Sequence, residues 1–270
     1  MDATLAPFLG LAVGLVLALT GAGGAIIAVP LLVFGLHMSL AQAGPVALLS
    51  VTLASAVGAA LGFRERVLRY KAAGLMASAG IVLSPLGLWL AHRLPDRPLN
   101  AIFAVVLVAV AWRMLSQASR DLRGIEPPRR ETAPCLLDPA IGKLHWTWRC
   151  ARALVAAGAA AGFLSGLLGV GGGFIIVPTL LAMSNLPMKS VTTTSMCVVA
   201  IVCAAGVVNA AVAGVMPWPV ALPFAAGALA GLLVGRWFAG RLAGPRLQQG
   251  FAVLSFGVAL GLLAKAALQP

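Results

Sequence analysis

The sequence predicts an all-α polytopic membrane protein made of two inverted repeats, each with a glycine-broken re-entrant hairpin and three spanning helices. Of its 270 residues, 61% are hydrophobic and only 10% are charged, and the mean hydropathy is +1.01. A soluble domain of this size needs more charge to cover its surface. Apolar segments of spanning length recur along the chain, and the sequence repeats itself after 148 residues.

The repeat is clearest in a glycine-rich element that occurs twice. Residues 20–30 read TGAGGAIIAVP, and residues 168–178 read LGVGGGFIIVP. A shift of 148 residues superimposes these stretches without a gap. Matching interruptions in the two halves of a membrane protein indicate a transport site. The same shift pairs residues elsewhere, namely Gly14 with Gly162, Gly58 with Gly206, Gly87 with Gly235, Arg93 with Arg241 and Phe103 with Phe251.

The chain divides into a first transmembrane repeat (1–115), a basic cytoplasmic linker (116–152) and a second transmembrane repeat (153–270). By length, the last three apolar segments of each repeat are single spanning helices. The first segment of each repeat is longer and is broken by glycines. It is either one kinked span or a hairpin that enters and leaves on the same side. The apolar segments are 5–35, 42–63, 72–91 and 99–115, followed by 153–184, 190–212, 219–238 and 248–268.

The distribution of Lys and Arg favours the hairpin. With hairpins, each repeat crosses the membrane three times, the second repeat is inverted, and 16 of the 19 Lys and Arg lie inside. With single kinked spans only 13 do so, and positive residues concentrate on the cytoplasmic side of membrane proteins. Residues 64–71 carry four Lys or Arg and the matching residues 212–219 carry none, as expected for two copies in opposite orientations.

Charge and cysteine usage argue against other classes of protein. The net charge of +12 is explained by the concentration of Lys and Arg in the segments on the cytoplasmic side of the membrane. The sequence contains no module that reads bases, so we expect no nucleic-acid partner. The four cysteines, Cys135, Cys150, Cys197 and Cys203, show no metal-ligand spacing, and we expect all four to be reduced and structural. We expect no metal and no cofactor.

The glycine element reads Gly-x-Gly-Gly-(Ala/Gly)-x-Ile-x-Val-Pro in both copies. A small-residue segment follows each copy, and a basic linker separates them. In these features the chain resembles the sulfite exporter TauE/SafE family, also called the 4-toluene sulfonate uptake permease family, over nearly its whole length. The resemblance implies a multi-pass transporter of the bacterial inner membrane. Its substrates would be small sulfur-containing anions such as sulfite, thiosulfate, sulfonates or sulfoacetate, with transport coupled to a proton or sodium gradient.

The glycine elements are the predicted binding site. An anion crossing a bilayer needs compensation for lost hydration, and no Lys or Arg lies in the middle of a span. A helix N-terminus offers free N–H groups, and glycines let a ligand approach them. We predict that two hairpin tips form an anion cradle, although glycines also serve close helix packing. The tip residues are Gly21, Gly23 and Gly24 in the first repeat and Gly169, Gly171, Gly172 and Gly173 in the second.

Four hydroxyl residues lie at the start of the next apolar helix of the second repeat, namely Thr192, Thr193, Thr194 and Ser195, and the last three are the predicted binding residues. They could bind the oxygens of an oxyanion or could cap the helix and bond to neighbouring carbonyl groups. The matching stretch of the first repeat lacks hydroxyls, so Ser50 and Thr52 would take this role there. Asn209 is a lone amide in an apolar helix, either a contact between helices or a residue that lines the site.

Other functions fit the sequence less well than a secondary carrier with alternating access. An intramembrane serine protease needs a histidine in the membrane, and none follows His145. A transmembrane thiol relay would need a reactive cysteine in each repeat, but both membrane cysteines lie in the second. We therefore expect no enzymatic activity. A passive anion channel stays an alternative, which a gradient-dependence measurement would separate from a carrier.

Overall fold

The structure of the protein is a computed structural model that describes residues 5–20, 25–122, 135, 147–242, 249–250, 253 and 255–261. These residues form helices with short connections, and no β-strand occurs among them apart from one isolated bridge. The predicted all-α fold is confirmed. The helices are α1 (Ala6–Thr20), α2 (Ala25–Gly35), α3 (Leu40–Arg64), α4 (Tyr70–Arg93), α5 (Asp96–Leu122), α6 (Trp148–Leu168), α7 (Gly173–Met183), α8 (Met188–Val212) and α9 (Trp218–Leu242).

The duplication seen in the sequence recurs in the helix bounds. A shift of 148 residues converts the bounds of α2 into those of α7 and the bounds of α3 into those of α8. It also brings the first residue of α4 onto the first residue of α9. Both long helices α3 and α8 end in the same turn, in which the backbone N–H of Val67 donates to the Gly62 carbonyl and that of Val215 donates to the Ala210 carbonyl.

Five helices of the described part are long and apolar enough to cross a membrane: α3, α4, α6, α8 and residues 218–235 of α9. Four of them coincide with predicted spans. The apolar part of α5, residues 98–113, is shorter than a full span, and most of the predicted span 248–268 lies outside the described residues. Helix α6 begins at Trp148, before the start of the predicted segment 153–184. The Thr147 hydroxyl caps it by accepting a hydrogen bond from the Cys150 N–H at 3.1 Å.

The glycine element of the second repeat reverses the chain. Gly169, Gly171 and Gly172 have φ values of +69°, +77° and +63°, which glycine adopts without strain. Gly172 lies against Ala161, because a methyl group there would come within 2.6 Å of the Ala161 carbonyl oxygen. Ala161 precedes the end of α6 by seven residues, or roughly 10 Å of helix. The chain therefore doubles back along α6 before α7 begins.

The far ends of this hairpin also meet. The backbone N–H of Cys135 donates to the carbonyl of Met183, the last residue of α7, at 3.0 Å. Cys135 is disulfide-bonded to Cys150 in the first turn of α6. The end of α7 thus lies beside the start of α6, so the second repeat contains a hairpin and not one kinked span.

The disulfide corrects the expectation that all four cysteines are reduced. Cys135 and Cys150 are 15 residues apart in the sequence, and a linear reading gives no sign that they meet. They meet because the Met183 carbonyl holds Cys135 at the base of the hairpin. Cys197 and Cys203 are free thiols, as expected.

Small residues allow α4 and α6 to pack closely. A methyl group at Gly158 would overlap the backbone of Met76, and one at Gly162 would overlap the backbone of Gly80. In a lipid environment, where apolar side chains gain little from mutual burial, such close backbone contact is a main source of helix association.

The same packing occurs between α1 and α9. A methyl group at Gly10 would overlap the backbone of Phe224, and one at Gly14 would overlap that of Ala228. The shift of 148 residues converts the α1–α9 contacts into the α4–α6 contacts. Gly10 and Gly14 match Gly158 and Gly162, and Phe224 and Ala228 match Met76 and Gly80. The first helix of each repeat thus packs along the fourth helix of the other repeat.

Helices α3 and α8 occupy matching places and run antiparallel through the middle of the bundle. Leu48 of α3 lies against Gly206 of α8, and Met196 of α8 lies against Gly58 of α3. These two contacts also interchange under the shift of 148 residues.

Two apolar clusters fill the bundle, one toward each end of α3 and α8. The basic end contains the last turn of α3 with Arg64, the turn that follows, and Lys189 in α8. Its cluster includes Ala72, Cys150 and Val191. The opposite end contains the start of α3 and the start of α9, and its cluster includes Met38, Leu168 and Val220. The polar groups described next lie between these clusters and at the basic end.

Candidate functional site

A cavity of about 310 Å³ lies at the basic end, where α3 ends and α8 begins. Helices α1, α3, α8 and α9 form its walls. Its volume is at the lower end of the range of about 300–1,000 Å³ that small-molecule sites occupy. The lining residues are Leu17, Ala18, Ala54, Gly58, Gly62, Glu65, Lys189, Thr192, Thr193, Met196 and Leu232.

Glycines on α3 provide the space for this cavity. A methyl group at Gly58 would overlap the sulfur of Met196, and one at Gly62 would overlap the methyl group of Thr193. Gly58 and Gly62 lie one turn apart on the same face of the helix. The missing side chains let α8 approach α3 while leaving the cavity open beside them.

An ion pair stands at the rim of the cavity. Lys189 Nζ lies 3.0 Å from Glu65 Oε2, and both side chains are about half exposed or more, at 67% and 49%. An exposed pair of this kind contributes only about 0–1 kcal/mol to stability. Lys189 is therefore a solvent-accessible cation whose charge is partly neutralised by Glu65.

Two further contacts fix the start of α8 against the α3–α4 turn. The Ser190 hydroxyl donates to the Val67 carbonyl at 2.8 Å, and the Arg69 backbone N–H donates to the Thr194 hydroxyl at 3.2 Å. The Thr194 hydroxyl thus holds the wall of the cavity in place. Thr193, in contrast, lines the cavity directly.

Ser195 is fully buried, and its hydroxyl has no hydrogen-bond partner among the described residues. It lies one turn before Val199 and two turns before Cys203 on α8. Val199 and Cys203 face Gly171 of the second hairpin, since a methyl group at Gly171 would lie 3.5 Å from Val199 and 3.1 Å from the Cys203 sulfur. Ser195 is thus on the side of α8 that faces the glycine tip.

The second glycine tip is buried in the protein. Gly169 packs its backbone on Gly44 of α3, and Gly171 contacts Val51 and Cys203. Gly172 is the N-cap of α7 and brings no side-chain cap, and Gly173 is the buried first residue of that helix. The N-terminus of α7 therefore lies inside the bundle, as the sequence predicts.

Ser50, Thr52 and Asn209 are not among the described residues that line the cavity. The Ser50 hydroxyl donates to the Ala47 carbonyl at 2.8 Å, and the Thr52 hydroxyl donates to the Leu48 carbonyl at 2.7 Å, so both bond within their own helix. Asn209 is half-buried near the end of α8. Gly21, Gly23 and Gly24 lie outside the described residues.

The sequence reasoning missed most of the cavity. Gly58 carried a signal, since it pairs with Gly206 in the internal repeat. Glu65 and Lys189 carried none, because they are 124 positions apart in the sequence and meet only through the packing of α3 against α8. The sequence predicts a site of backbone N–H and hydroxyl groups, and the structure places the charged Lys189 at the rim of the cavity as well.

Matching halves of long apolar helices around a polar cavity define the class of this protein as a multi-pass membrane protein. The sequence pattern of the family described as "Sulfite exporter TauE/SafE" matches residues 6–262. The chain belongs to this family of membrane transporters.

Two curated relatives from Bacillus subtilis (strain 168) support this assignment. The chain is 24% identical over 243 residues to the probable membrane transporter protein YunE, covering 87% of this chain and 84% of the relative. It is 26% identical over 248 residues to the probable membrane transporter protein YjnA, covering 89% and 91%. No solved structure matches the chain significantly.

Proposed function

We propose that this protein is a secondary carrier of a small sulfur-containing anion in the bacterial inner membrane, and that it has no enzymatic activity. The observation that carries the proposal is the cavity at the basic end, which combines Lys189 with the Thr193 hydroxyl in an otherwise apolar bundle. The family description favours oxyanions of sulfur such as sulfite, thiosulfate or a sulfonate. The relatives named as probable membrane transporters favour transport over catalysis.

In this proposal the cavity is the entrance on the basic side. The anion first meets Lys189, whose charge compensates part of its lost hydration. It displaces Glu65 from the ammonium group, and the Thr193 hydroxyl donates a hydrogen bond to one of its oxygens. The second glycine tip and Ser195 form the deeper part of the path, where free N–H groups at the start of α7 replace a basic side chain.

We further propose that the two repeats have opposite orientations in the membrane. Equivalent helices α3 and α8 run antiparallel, which fits a two-fold axis in the membrane plane. The Glu65–Lys189 pair supports the same arrangement, because it joins the 64–71 turn to the start of α8. If the first segment of each repeat were a single kinked span, the turn and the start of α8 would lie on opposite sides of the membrane. In this arrangement the cavity opens to the cytoplasm.

Uptake into proteoliposomes tests the proposed function. The purified protein is reconstituted and offered radiolabelled sulfite, thiosulfate, methanesulfonate and sulfoacetate, with and without imposed proton and sodium gradients. We expect accumulation of at least one anion against its own gradient when an ion gradient is present. Flux that only equilibrates the anion would favour the channel alternative, and no flux of any anion above that of protein-free liposomes would contradict the proposal.

Thr193→Val tests the role of the hydroxyl group. Valine keeps the methyl group that packs against Gly62, so the bundle should be preserved. Loss of a hydrogen bond to a charged ligand costs about 1.5–3 kcal/mol, so we expect KM to rise roughly ten- to a hundredfold. Thr179→Val is the matched control, since that hydroxyl donates to the Ile175 carbonyl within α7 and does not line the cavity. Equal KM values for the two variants would remove Thr193 from the site.

A further inference from the structure

The internal repeat assigns a counterpart to every lining residue of the cavity. A shift of 148 residues maps the cavity at the basic end onto a region toward the opposite end, between α3, α4, α6 and α8. Leu17 maps onto Ser165, Leu232 onto Ser84, Gly58 onto Gly206, Met196 onto Leu48 and Thr192 onto Gly44.

The counterpart region is closed in this structure. The backbone of Gly169 packs on Gly44, the residue that matches Thr192. Leu48 is fully buried against Gly206, whereas the matching Met196 lines the open cavity and is partly exposed. Gly166 also packs against the Ser84 carbonyl. One of two equivalent regions is therefore open and the other is filled.

The closed region holds buried hydroxyl groups. Ser84 is 1% exposed, and its hydroxyl has no hydrogen-bond partner among the described residues. Ser165 is equally buried, and its oxygen contacts only the weakly polar Cys203 sulfur, at 3.8 Å, among the described groups. Ser84 and Ser165 face the same side of α8. Ser165 contacts Cys203, and the Ser84 hydroxyl lies 3.7 Å from where a methyl group at Gly206 would be, one turn further along α8.

Packing alone does not explain these hydroxyls. Ser84 and Ser165 match Leu232 and Leu17 of the cavity at the basic end, so an apolar side chain fits at these positions of the fold. A buried hydroxyl without a good partner is unfavourable and calls for an explanation. A ligand that is present only when the region opens would supply the missing partner.

We propose that the region around Ser84 and Ser165 opens as a second anion half-site facing the opposite end, in which these two hydroxyls donate hydrogen bonds to the transported oxyanion. The inference rests on the proposed carrier function. The hydroxyls come from α8 in the open half-site and from α4 and α6 in the closed one. The same anion would thus pass from Thr193 to Ser165 and Ser84 as one region closes and the other opens.

Side-specific thiol labelling tests the opening without requiring a known substrate. In a Cys197→Ser/Cys203→Ser background, Ser165→Cys and Ser84→Cys are exposed in oriented vesicles to a membrane-impermeant maleimide. Leu17→Cys is the matched control in the open cavity. We expect Ser165→Cys and Ser84→Cys to react only from the side opposite to the 64–71 turn, and Leu17→Cys to react only from the side of that turn.

Transport by alanine variants tests the binding role. Ser84→Ala and Ser165→Ala should raise KM roughly ten- to a hundredfold for the anion selected in the uptake panel. Ser78→Ala is the control on the same helix α4, because its hydroxyl donates to the Leu75 carbonyl at 3.0 Å. The double variant should lose nearly all uptake.

The outcomes separate this inference from the proposed function. If the wild-type protein accumulates an anion but neither new cysteine reacts from the opposite side in variants that still transport, the second half-site is wrong. Normal KM values for both alanine variants would remove the hydroxyls from binding. If no anion is transported, the carrier proposal fails, and the labelling pattern still decides whether the closed region opens.

Discussion

In the proposed carrier, two residues at the cavity rim control how an anion enters. Lys189 and Glu65 are paired at 3.0 Å, so part of the lysine charge is already neutralised. We expect Lys189→Gln to raise KM for uptake several-fold or more and to weaken its salt dependence. Glu65→Gln should lower KM, because it leaves the lysine free for the anion. The measurement is initial uptake at varied anion and salt concentration.

Neither rim substitution should change folding much, because exposed ion pairs contribute about 0–1 kcal/mol. Thermal unfolding of both variants in detergent provides this control. An unchanged KM for the lysine variant in a normally folded protein would show that the anion does not use this rim.

A second residue-scale prediction concerns the turn after α8. Gly214 has φ +69°, and a methyl group there would meet nothing within 4 Å, so only the backbone conformation resists a side chain. Gly214→Ala should therefore lower the free energy of unfolding by roughly 1 kcal/mol. Gly74→Ala is the control and should raise the free energy of unfolding instead. Gly74 lies within α4 in equally open space, and alanine favours a helix over glycine by about 0.5–1 kcal/mol.

Equal shifts in the unfolding temperature for the two alanine variants would contradict the role of the positive φ. The matching residue of the first repeat is Arg66, which adopts φ +56° in the same turn. The first repeat thus keeps a charged residue where the second uses glycine, and the side chain of Arg66 adds to the positive charge of the basic end.

At the scale of helices, the sequence predicts bounds far better than contacts. The predicted span 42–63 became α3 (Leu40–Arg64), and 190–212 became α8 (Met188–Val212). Length and hydropathy suffice for this, because they reflect only the thickness of the bilayer. Helices that are apolar on all sides have no amphipathic face, so the sequence does not indicate which side of α3 meets α8.

The candidate site was predictable to the same limited extent. The glycine element indicated where the first segment of each repeat breaks, because glycine favours positive φ, which is a local property. The distribution of Lys and Arg then favoured a hairpin over a kinked span. The Glu65–Lys189 pair, the Cys135–Cys150 disulfide and the closed Ser84 region all join distant parts of the chain. Such contacts depend on tertiary packing, which neither spacing nor composition encodes directly.

The α4–α6 contact gives a prediction at this scale. Gly162→Leu would force side-chain atoms into the backbone of Gly80, and overpacking of a tight contact costs about 1–3 kcal/mol or more. We expect a clear loss of membrane-inserted protein and a lower unfolding temperature. Gly74→Leu, on an open surface of α4, is the control and should accumulate normally. Normal accumulation of the Gly162 variant would show that α4 and α6 are not held by this backbone contact.

At the scale of the whole molecule, the orientation of the linker has two opposing indications. Its seven Lys and Arg favour the cytoplasm, whereas disulfides are more common in oxidising compartments. The excess of Lys and Arg is the stronger indication. The disulfide can persist in the cytoplasm, because both cysteines are only 1% exposed and are thus shielded from soluble reductants. A cysteine at position 130 should therefore react only with membrane-permeant reagents in intact cells.

The relation between the repeats gives the decisive test of the architecture. Glu65 and Ala213 are the C-caps of α3 and α8, and they match exactly after a shift of 148 residues. Both are exposed, whereas Met216 nearby is buried and is a poor labelling site. If the repeats are inverted, an impermeant maleimide added to intact cells should label Ala213→Cys and not Glu65→Cys. Permeabilised cells should label both, which controls for access. Repeats with the same orientation would place both residues on one side, and equal labelling of the two positions in intact cells would therefore refute the inverted arrangement and the alternating access that depends on it.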